Sequence, residues 1–321
     1  MRPRLLITES AAYEDVDLTL LTRVFEVHLM SSGDTDLERK IRDVQPNILL
    51  VGLGLMIGHT EIEAAQHLQL VVSSTTGSDH LDTELLQTRG IDVLTLRDPQ
   101  FVLEKVSSTA ELAWGLLLTV TRQIGRAAAS VSQGEWQRQR FMGMQLQGKT
   151  LGIVGLGRLG GYVADYGVAF KMSVIATDSN PVSSRTDVEL CSLDELVRRA
   201  DVISIHVPLT SSTRQMFNQS ILEHMKVGGI LINTSRGEVV DEVALATLVR
   251  SGRIGGYGTD VLSGDAGWDK RVQPNPVTAL IAEGFNVVAT PHIGGYTHEA
   301  VKFTRRLVID ALMSRFSLAD Q

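Results

Sequence analysis

One short segment, Gly155-Leu156-Gly157-Arg158-Leu159-Gly160, constrains the fold of this chain more than any other, because of what surrounds it. The apolar run Leu151–Val154 precedes it and reads as a strand. A helix-compatible stretch follows, then a second apolar run from Met172 to Ala176, ending at Asp178. Glycines at this spacing are common by chance. A strand, a tight turn, a helix and a second strand closed by an acid form a dinucleotide-binding unit. Gly155 permits the turn, Gly157 lets backbone approach a pyrophosphate, and Gly160 lets helix pack closely on strand. The helix N-terminus presents N–H groups and partial positive charge to the phosphates. Asp178 is placed to accept hydrogen bonds from the adenosine ribose. A carboxylate there opposes a 2′-phosphate, so NAD is expected as cofactor rather than NADP.

Alternation of strand and helix extends on both sides of this unit. In the first hundred residues, strands are expected at Leu5–Thr8, Ile48–Gly52, Leu70–Ser73 and Val93–Leu96. Helices are expected at Asp36–Val44 and Asp82–Arg89, the latter stopped by Gly90. After Gly148, strands are expected at Leu151–Val154, Val174–Ala176, Val202–His206, Ile230–Asn233, Gly256–Asp260 and Val287–Thr290. Such alternation implies parallel sheets covered on both faces, hence two doubly wound α/β domains. Between them, Val106–Ile124 reads as one long helix that is apolar nearly all round. Burial inside its own domain and burial against a second subunit both satisfy that pattern. The last helix is expected at Thr297–Phe316.

Three of the later strands end in chemically capable residues: Asn233-Thr234-Ser235-Arg236-Gly237, Thr259-Asp260-Val261-Leu262 with Asp265 beyond it, and Thr290-Pro291-His292-Ile293-Gly294-Gly295. In an open α/β sheet the carboxyl ends of the strands line the ligand crevice. Taken singly, an arginine at a strand end is ordinarily a surface charge, and an aspartate among glycines is ordinarily a turn residue. A shared crevice edge singles out Arg236 and His292. Arg236 can grip a carboxylate with two parallel hydrogen bonds. His292 can exchange a proton with a hydroxyl while the cofactor carries the hydride. An acid beside it, with Asp265 the candidate, would orient the imidazole and stabilise its cation.

Composition excludes other classes. A net charge of −7 leaves no basic field for nucleic acid or an acidic membrane. A single cysteine permits no internal disulfide and suits a reducing cytoplasm. No leader-like opening and no apolar stretch approaching about 18 residues are present, so neither secretion nor membrane insertion is expected. No metal is expected.

The chain as a whole resembles the D-isomer-specific 2-hydroxyacid dehydrogenase family. The resemblance rests on Thr76-Gly77-Ser78-Asp79-His80-Leu81-Asp82, Gly90-Ile91-Asp92-Val93, Ser108-Thr109-Ala110-Glu111 and the run from Leu146 through Gly160. His206-Val207-Pro208-Leu209-Thr210, the Thr234–Gly237 block with Asp241, and Thr290–Gly295 complete it. It implies a Rossmann NAD-binding domain, residues 99–295, inserted into a split flavodoxin-like substrate domain made of 1–98 and 296–321. It also implies an NAD-dependent oxidoreductase acting on a D-2-hydroxyacid/2-ketoacid pair, and a homodimer joined through the cofactor domain. Arg236 and His292 then match two members of an Arg–Glu–His catalytic set. Arg158 and Leu159 would meet the pyrophosphate by backbone and Asp178 the ribose, with Val207 and Pro208 near the adenosine. Thr234, Ser235, Arg236 and Asp260 would lie on the cofactor side, Thr234 and Asp260 near the nicotinamide. Amides around Leu53, Gly54, Gly77 and Ser78 would face the substrate carboxylate. Some members of the family keep the fold as corepressors, which leaves an NAD(H)-dependent binding protein as the alternative. Two departures stand out. Asp265 occupies the family's glutamate position and is one methylene shorter. The segment from Asp265 to His292, with Trp268, Asp269, Lys270, Arg271, Pro274 and Pro276, is long, and a lid, a partner surface and a spacer all fit it.

Overall fold

The computed structural model describes residues 2–9, 13–30, 36–180, 185–265 and 271–317, which form two compact units. The first takes the described residues up to Leu103 together with those from His298. The second takes Glu104–Asp265 and Arg271–Thr297. These joints lie a few residues beyond the 98/99 and 295/296 expected from the sequence. Phe101 and Leu103 explain the first shift, since both pack into the first unit's core. Residues 266–270, which hold Trp268, Asp269 and Lys270, lie outside the described residues.

The first unit runs β1 (Arg4–Ile7), α1 (Asp15–Leu21), β2 (Glu26–Leu29), α2 (Leu37–Val44), β3 (Ile48–Val51), α3 (His59–Ala64), β4 (Leu70–Ser73), α4 (Thr83–Thr88) and β5 (Asp92–Thr95). Its strands are parallel in the order β2-β1-β3-β4-β5. Side chains alternate across a strand. Leu6, Leu49, Val51 and Val71 therefore enter one core, and Leu5, Ile7, Ile48, Leu50, Leu70 and Val72 the other. A sheet buried on both faces explains the continuous apolar runs in the sequence. Local signals set the helix ends. Asp36 caps α2 through the Arg39 amide (2.9 Å), Asp82 caps α4 through the Leu85 amide (3.0 Å), and Gly90 leaves α4 at φ +68°.

The second unit runs α5 (Ser108–Thr121), α6 (Ile124–Ser132), β6 (Thr150–Val154), α7 (Arg158–Ala169), β7 (Ser173–Thr177), β8 (Glu189–Leu190), α8 (Leu193–Arg199), β9 (Val202–Ile205), α9 (Gln219–His224), β10 (Gly229–Asn233), α10 (Glu242–Arg250), β11 (Ile254–Thr259), α11 (Pro276–Ala282) and β12 (Val287–Ala289). The last helix, α12 (His298–Ser317), belongs to the first unit, where Val308, Ile309 and Leu312 pack over the sheet. The second sheet is parallel in the order β12-β11-β10-β9-β6-β7-β8. Strand order reverses between β6 and β9, so the ligand crevice of such a sheet opens at their carboxyl ends.

The helix expected at Val106–Ile124 is α5, ending at Thr121, and a second helix that the sequence did not announce, α6, starts at Ile124. Gln123 takes a left-handed conformation (φ +53°) between α5 and α6, and its side-chain amide donates to the Met142 carbonyl (3.0 Å). The apolar faces of α5 are covered inside its own unit. Ala110, Ala113, Trp114, Leu117 and Val120 pack with Leu151, Ile153, Ile230 and Ile232, and Trp114 meets Tyr166 and Phe170 edge to face.

Candidate active site

The glycine turn follows β6 at the point where strand order reverses. Gly155 sits at φ +93°, and a Cβ there would come within 2.9 Å of the His206 carbonyl oxygen. At Gly160 a Cβ would collide with the Gly155 carbonyl oxygen, so α7 lies directly on the turn. A Cβ on Gly157 would meet only open space, as suits a residue that faces a ligand. Gly157 also caps α7, whose first-turn N–H groups have no acceptor within the helix. Leu159 packs against the core behind the turn. The Arg158 guanidinium donates to the Val106 carbonyl and is turned into the protein, where burial pushes its pKa down. Only its backbone suits a pyrophosphate contact. Asp178, just past β7, accepts from the Leu156 amide (2.7 Å) and the Asn180 amide (2.8 Å), which sets the carboxylate beside the glycine turn.

Val207 and Pro208 follow β9, and the Pro208 carbonyl accepts from the Thr213 hydroxyl (2.6 Å). His206 just before them is partly buried, and loss of solvent around its ring lowers its pKa to about 4, with Ser204 Oγ 2.8 Å from Nε2. Past β10, buried Asn233 folds the chain back on itself. Its Oδ1 accepts from the Ser235 amide (3.0 Å) and hydroxyl (2.8 Å), and its Nδ2 donates to the Arg236 carbonyl (2.9 Å). That turn presents Thr234, Ser235 and Arg236 in order. The Arg236 Nη1 donates to the Ser235 carbonyl (2.7 Å), and the residue is partly buried. The Thr234 hydroxyl is buried with no hydrogen-bond partner among the described residues. An orphaned buried hydroxyl costs free energy unless a ligand pairs with it. Together with open space at Gly157, it shows that these residues fit a bound dinucleotide.

His292 and Asp265 come together although 27 positions separate them: His292 Nδ1 lies 3.2 Å from Asp265 Oδ2, with side chains 29% and 15% exposed. Asp260, immediately past β11, builds the turn that makes this possible. Its Oδ1 accepts from the Thr290 hydroxyl (2.5 Å) and the Ile293 amide (2.9 Å), and its Oδ2 from the Gly294 amide (2.7 Å). Its carbonyl accepts from the His292 amide (3.0 Å). These bonds hold His292 in the left-handed region (φ +55°), which a side chain other than glycine rarely adopts. Burial pushes the Asp260 carboxyl above its usual range, opposed by these donors and by His292. Sequence reading assigned Asp260 to the cofactor and missed its part in shaping the His292 turn. No local pattern announces it, because its partners lie on the neighbouring strand end.

Arg236, Asp260, Asp265 and His292 thus gather at the carboxyl ends of three adjacent strands, β10, β11 and β12. Leu53 and Gly54 lie in the first unit after β3, and Gly77 and Ser78 after β4, where the Gly77 carbonyl accepts from the Thr75 hydroxyl (2.7 Å). All four follow the carboxyl ends of their own strands.

Residues 114–294 match the sequence profile of the D-isomer specific 2-hydroxyacid dehydrogenase, NAD binding domain. The chain is 35% identical over 315 residues to a D-3-phosphoglycerate dehydrogenase of Methanocaldococcus jannaschii, covering 96% of this chain but only 56% of that protein. It therefore spans about half the length of that relative. It is 38% identical over 256 residues to a hydroxypyruvate reductase of Thermotoga maritima, covering 79% of each. Among solved structures, a D-lactate dehydrogenase from Aquifex aeolicus complexed with NAD and lactic acid superposes with a TM-score of 0.79 at 27% identity, over 97% of this chain and 94% of that one. The second unit is accordingly an NAD-binding domain.

Proposed function

Since the chain belongs to the D-isomer specific 2-hydroxyacid dehydrogenase family, we propose that it interconverts a 2-ketoacid and the matching D-2-hydroxyacid. The observation that carries this reading is the Asp265–His292 pair at the strand edge that also bears Arg236. NADH, when bound, supplies the hydride that reaches C2 of the ketoacid. Arg236 holds the substrate carboxylate through its planar fork. His292 gives a proton from Nε2 to the carbonyl oxygen as charge develops there, and takes it back from the hydroxyl in the oxidative direction. Asp265 faces Nδ1, which favours the tautomer that leaves Nε2 for the substrate and stabilises the imidazolium.

Gly155, Gly157 and Gly160 with the Arg158 and Leu159 amides are assigned to the pyrophosphate, Asp178 to the ribose, and Val207 and Pro208 to the adenosine. Thr234, Ser235 and Asp260 are assigned to the nicotinamide side. Leu53, Gly54, Gly77 and Ser78 are assigned to the substrate carboxylate, as the family resemblance implies. The test is a steady-state assay of NADH oxidation with a panel of 2-ketoacids. Turnover of at least one is expected, and absence of turnover across the panel would refute the activity.

Homodimerisation through the cofactor domain belongs to the same reading. It is supported by Trp136 and Met142, 88% and 86% exposed, and by Ile124 and Val131 on α6 beside them. Light scattering is expected to give twice the 35.0 kDa chain mass, and Trp136→Glu to shift the protein towards monomer.

A further inference from the structure

Asp265 is too short to be a simple replacement for a glutamate, yet it reaches His292. What shortens the gap is the backbone of its loop. Gly237 lies so close to that loop that a Cβ would overlap Leu262 C and Ser263 N. Two carboxylates then grip the loop amides from the same side. Glu242 Oε1 accepts from the Ser263 amide (2.9 Å), and Glu238 Oε1 from the Gly264 amide (3.1 Å). Within the loop, the Asp265 amide donates to the Leu262 carbonyl (3.0 Å), and the Leu262 amide to Asp265 Oδ2 (3.3 Å), the oxygen that faces His292.

Glu242 does more than one helix start requires. Asp241 already caps α10, accepting from the Val243 and Ala244 amides (3.1 and 3.0 Å). Glu242 is only 6% exposed, and its second oxygen accepts from Asn275 Nδ2 (2.6 Å). Asn275 caps α11 through the Val277 amide (2.7 Å). One buried carboxylate therefore ties the loop that carries Asp265 to the start of α11. Burial pushes that carboxyl above its usual range, against the pull of the Ser263 and Asn275 donors. An apolar side chain would fill the same space without that cost, so the group invites an explanation beyond packing.

We infer that Glu242 is a positioning residue for proton transfer: by drawing the Leu262–Asp265 loop towards α10, it brings the shorter aspartate within reach of His292. This rests on the proposed dehydrogenase activity. Glu238 assists from the partly exposed rim. Because Glu238 and Gly237 directly follow Arg236, the same contacts tie the Arg236 turn to the Asp265 loop.

The test is a double-mutant cycle. Glu242→Ala and Glu242→Gln are each made with Asp265 and with Asp265→Glu, and kcat, KM and NADH affinity are measured with a 2-ketoacid that the wild type reduces. With Asp265 in place, Glu242→Ala should lower kcat about tenfold or more, since a misplacement of about 1 Å can cost roughly a hundredfold. NADH affinity should not change. With Asp265→Glu, the extra methylene spans a relaxed loop, and most of that loss should disappear. Glu242→Gln keeps an acceptor for Ser263 but turns an amide N–H₂ towards Asn275, so it should show a smaller loss and the same rescue. This variant decides the matter should Glu242→Ala not fold. Equal losses in both backgrounds, or an undiminished kcat, would overturn the role of Glu242. A wild-type chain that reduces no 2-ketoacid would overturn the activity itself, which distinguishes the two failures.

Discussion

Replacing Asp265 with asparagine separates charge from shape at the proposed proton-transfer site. The same carboxylate oxygen, Oδ2, stands 3.2 Å from His292 Nδ1 and accepts from the Leu262 amide at 3.3 Å. In Asp265→Asn, the atom at that position must still accept from Leu262, which calls for the amide oxygen rather than the N–H₂. His292 then keeps its Nδ1–H tautomer, and only the charge is lost. Had the amide N–H₂ faced the ring, the opposite tautomer would be selected, a fault that costs about 10⁴-fold in a comparable triad. Loss of charge alone turns a charge-assisted hydrogen bond, worth about 1.5–3 kcal/mol, into a neutral one worth about 0.5–1.5 kcal/mol, so kcat should fall roughly five- to tenfold. NADH affinity, read from cofactor fluorescence, should be nearly unchanged, because the glycine turn and Asp178 are untouched. Steady-state rates of ketoacid reduction across pH are the assay. A wild-type kcat together with an unchanged pH–rate profile in Asp265→Asn would refute the pairing of Asp265 with His292.

NADPH is expected to bind much more weakly than NADH, because the Asp178 carboxylate beside the glycine turn repels a 2′-phosphate. Equal affinities in a fluorescence titration would refute that placement. Arg236→Lys should lose on the order of a hundredfold in kcat/KM, since a point donor replaces a planar fork, and a near-wild-type value would remove Arg236 from the carboxylate clamp. Partly buried His206 resists protonation down to about pH 4, whereas the unfolded chain takes up that proton near pH 6.5. Stability is therefore expected to fall as pH drops through that window, by at most about 3 kcal/mol from this one group. Denaturant melts of His206→Gln should show a shallower decline between those pH values, and identical slopes would show that His206 does not contribute.

Several parts of this protein were legible from the sequence because the signals are local. The Gly155–Gly160 turn, the helices that begin at Asp36 and Asp82 and the stop at Gly90 each depend on residues a few positions apart, as backbone hydrogen bonds and φ preferences do. Continuous apolar runs such as Ile48–Val51 disclosed parallel sheets because both faces are buried. β2 escaped notice as a short edge strand with an alternating, half-exposed pattern. The end of α5 before Gln123 and the helix that follows it, α6, escaped too, since apolar residues continue across that turn.

The order of the strands, and with it the company each strand end keeps, is set by tertiary structure alone. Sequence marked Arg236, Asp265 and His292 as chemically capable, but nothing local states that β10, β11 and β12 are neighbours. That adjacency lets Asp260 shape the His292 turn, and it lets Glu242 reach the loop that carries Asp265. Hydrogen bonds between distant segments depend on strand register and on how closely helices approach, which the packing of the whole unit determines. Residue type and spacing supply the chemistry; packing decides which groups meet.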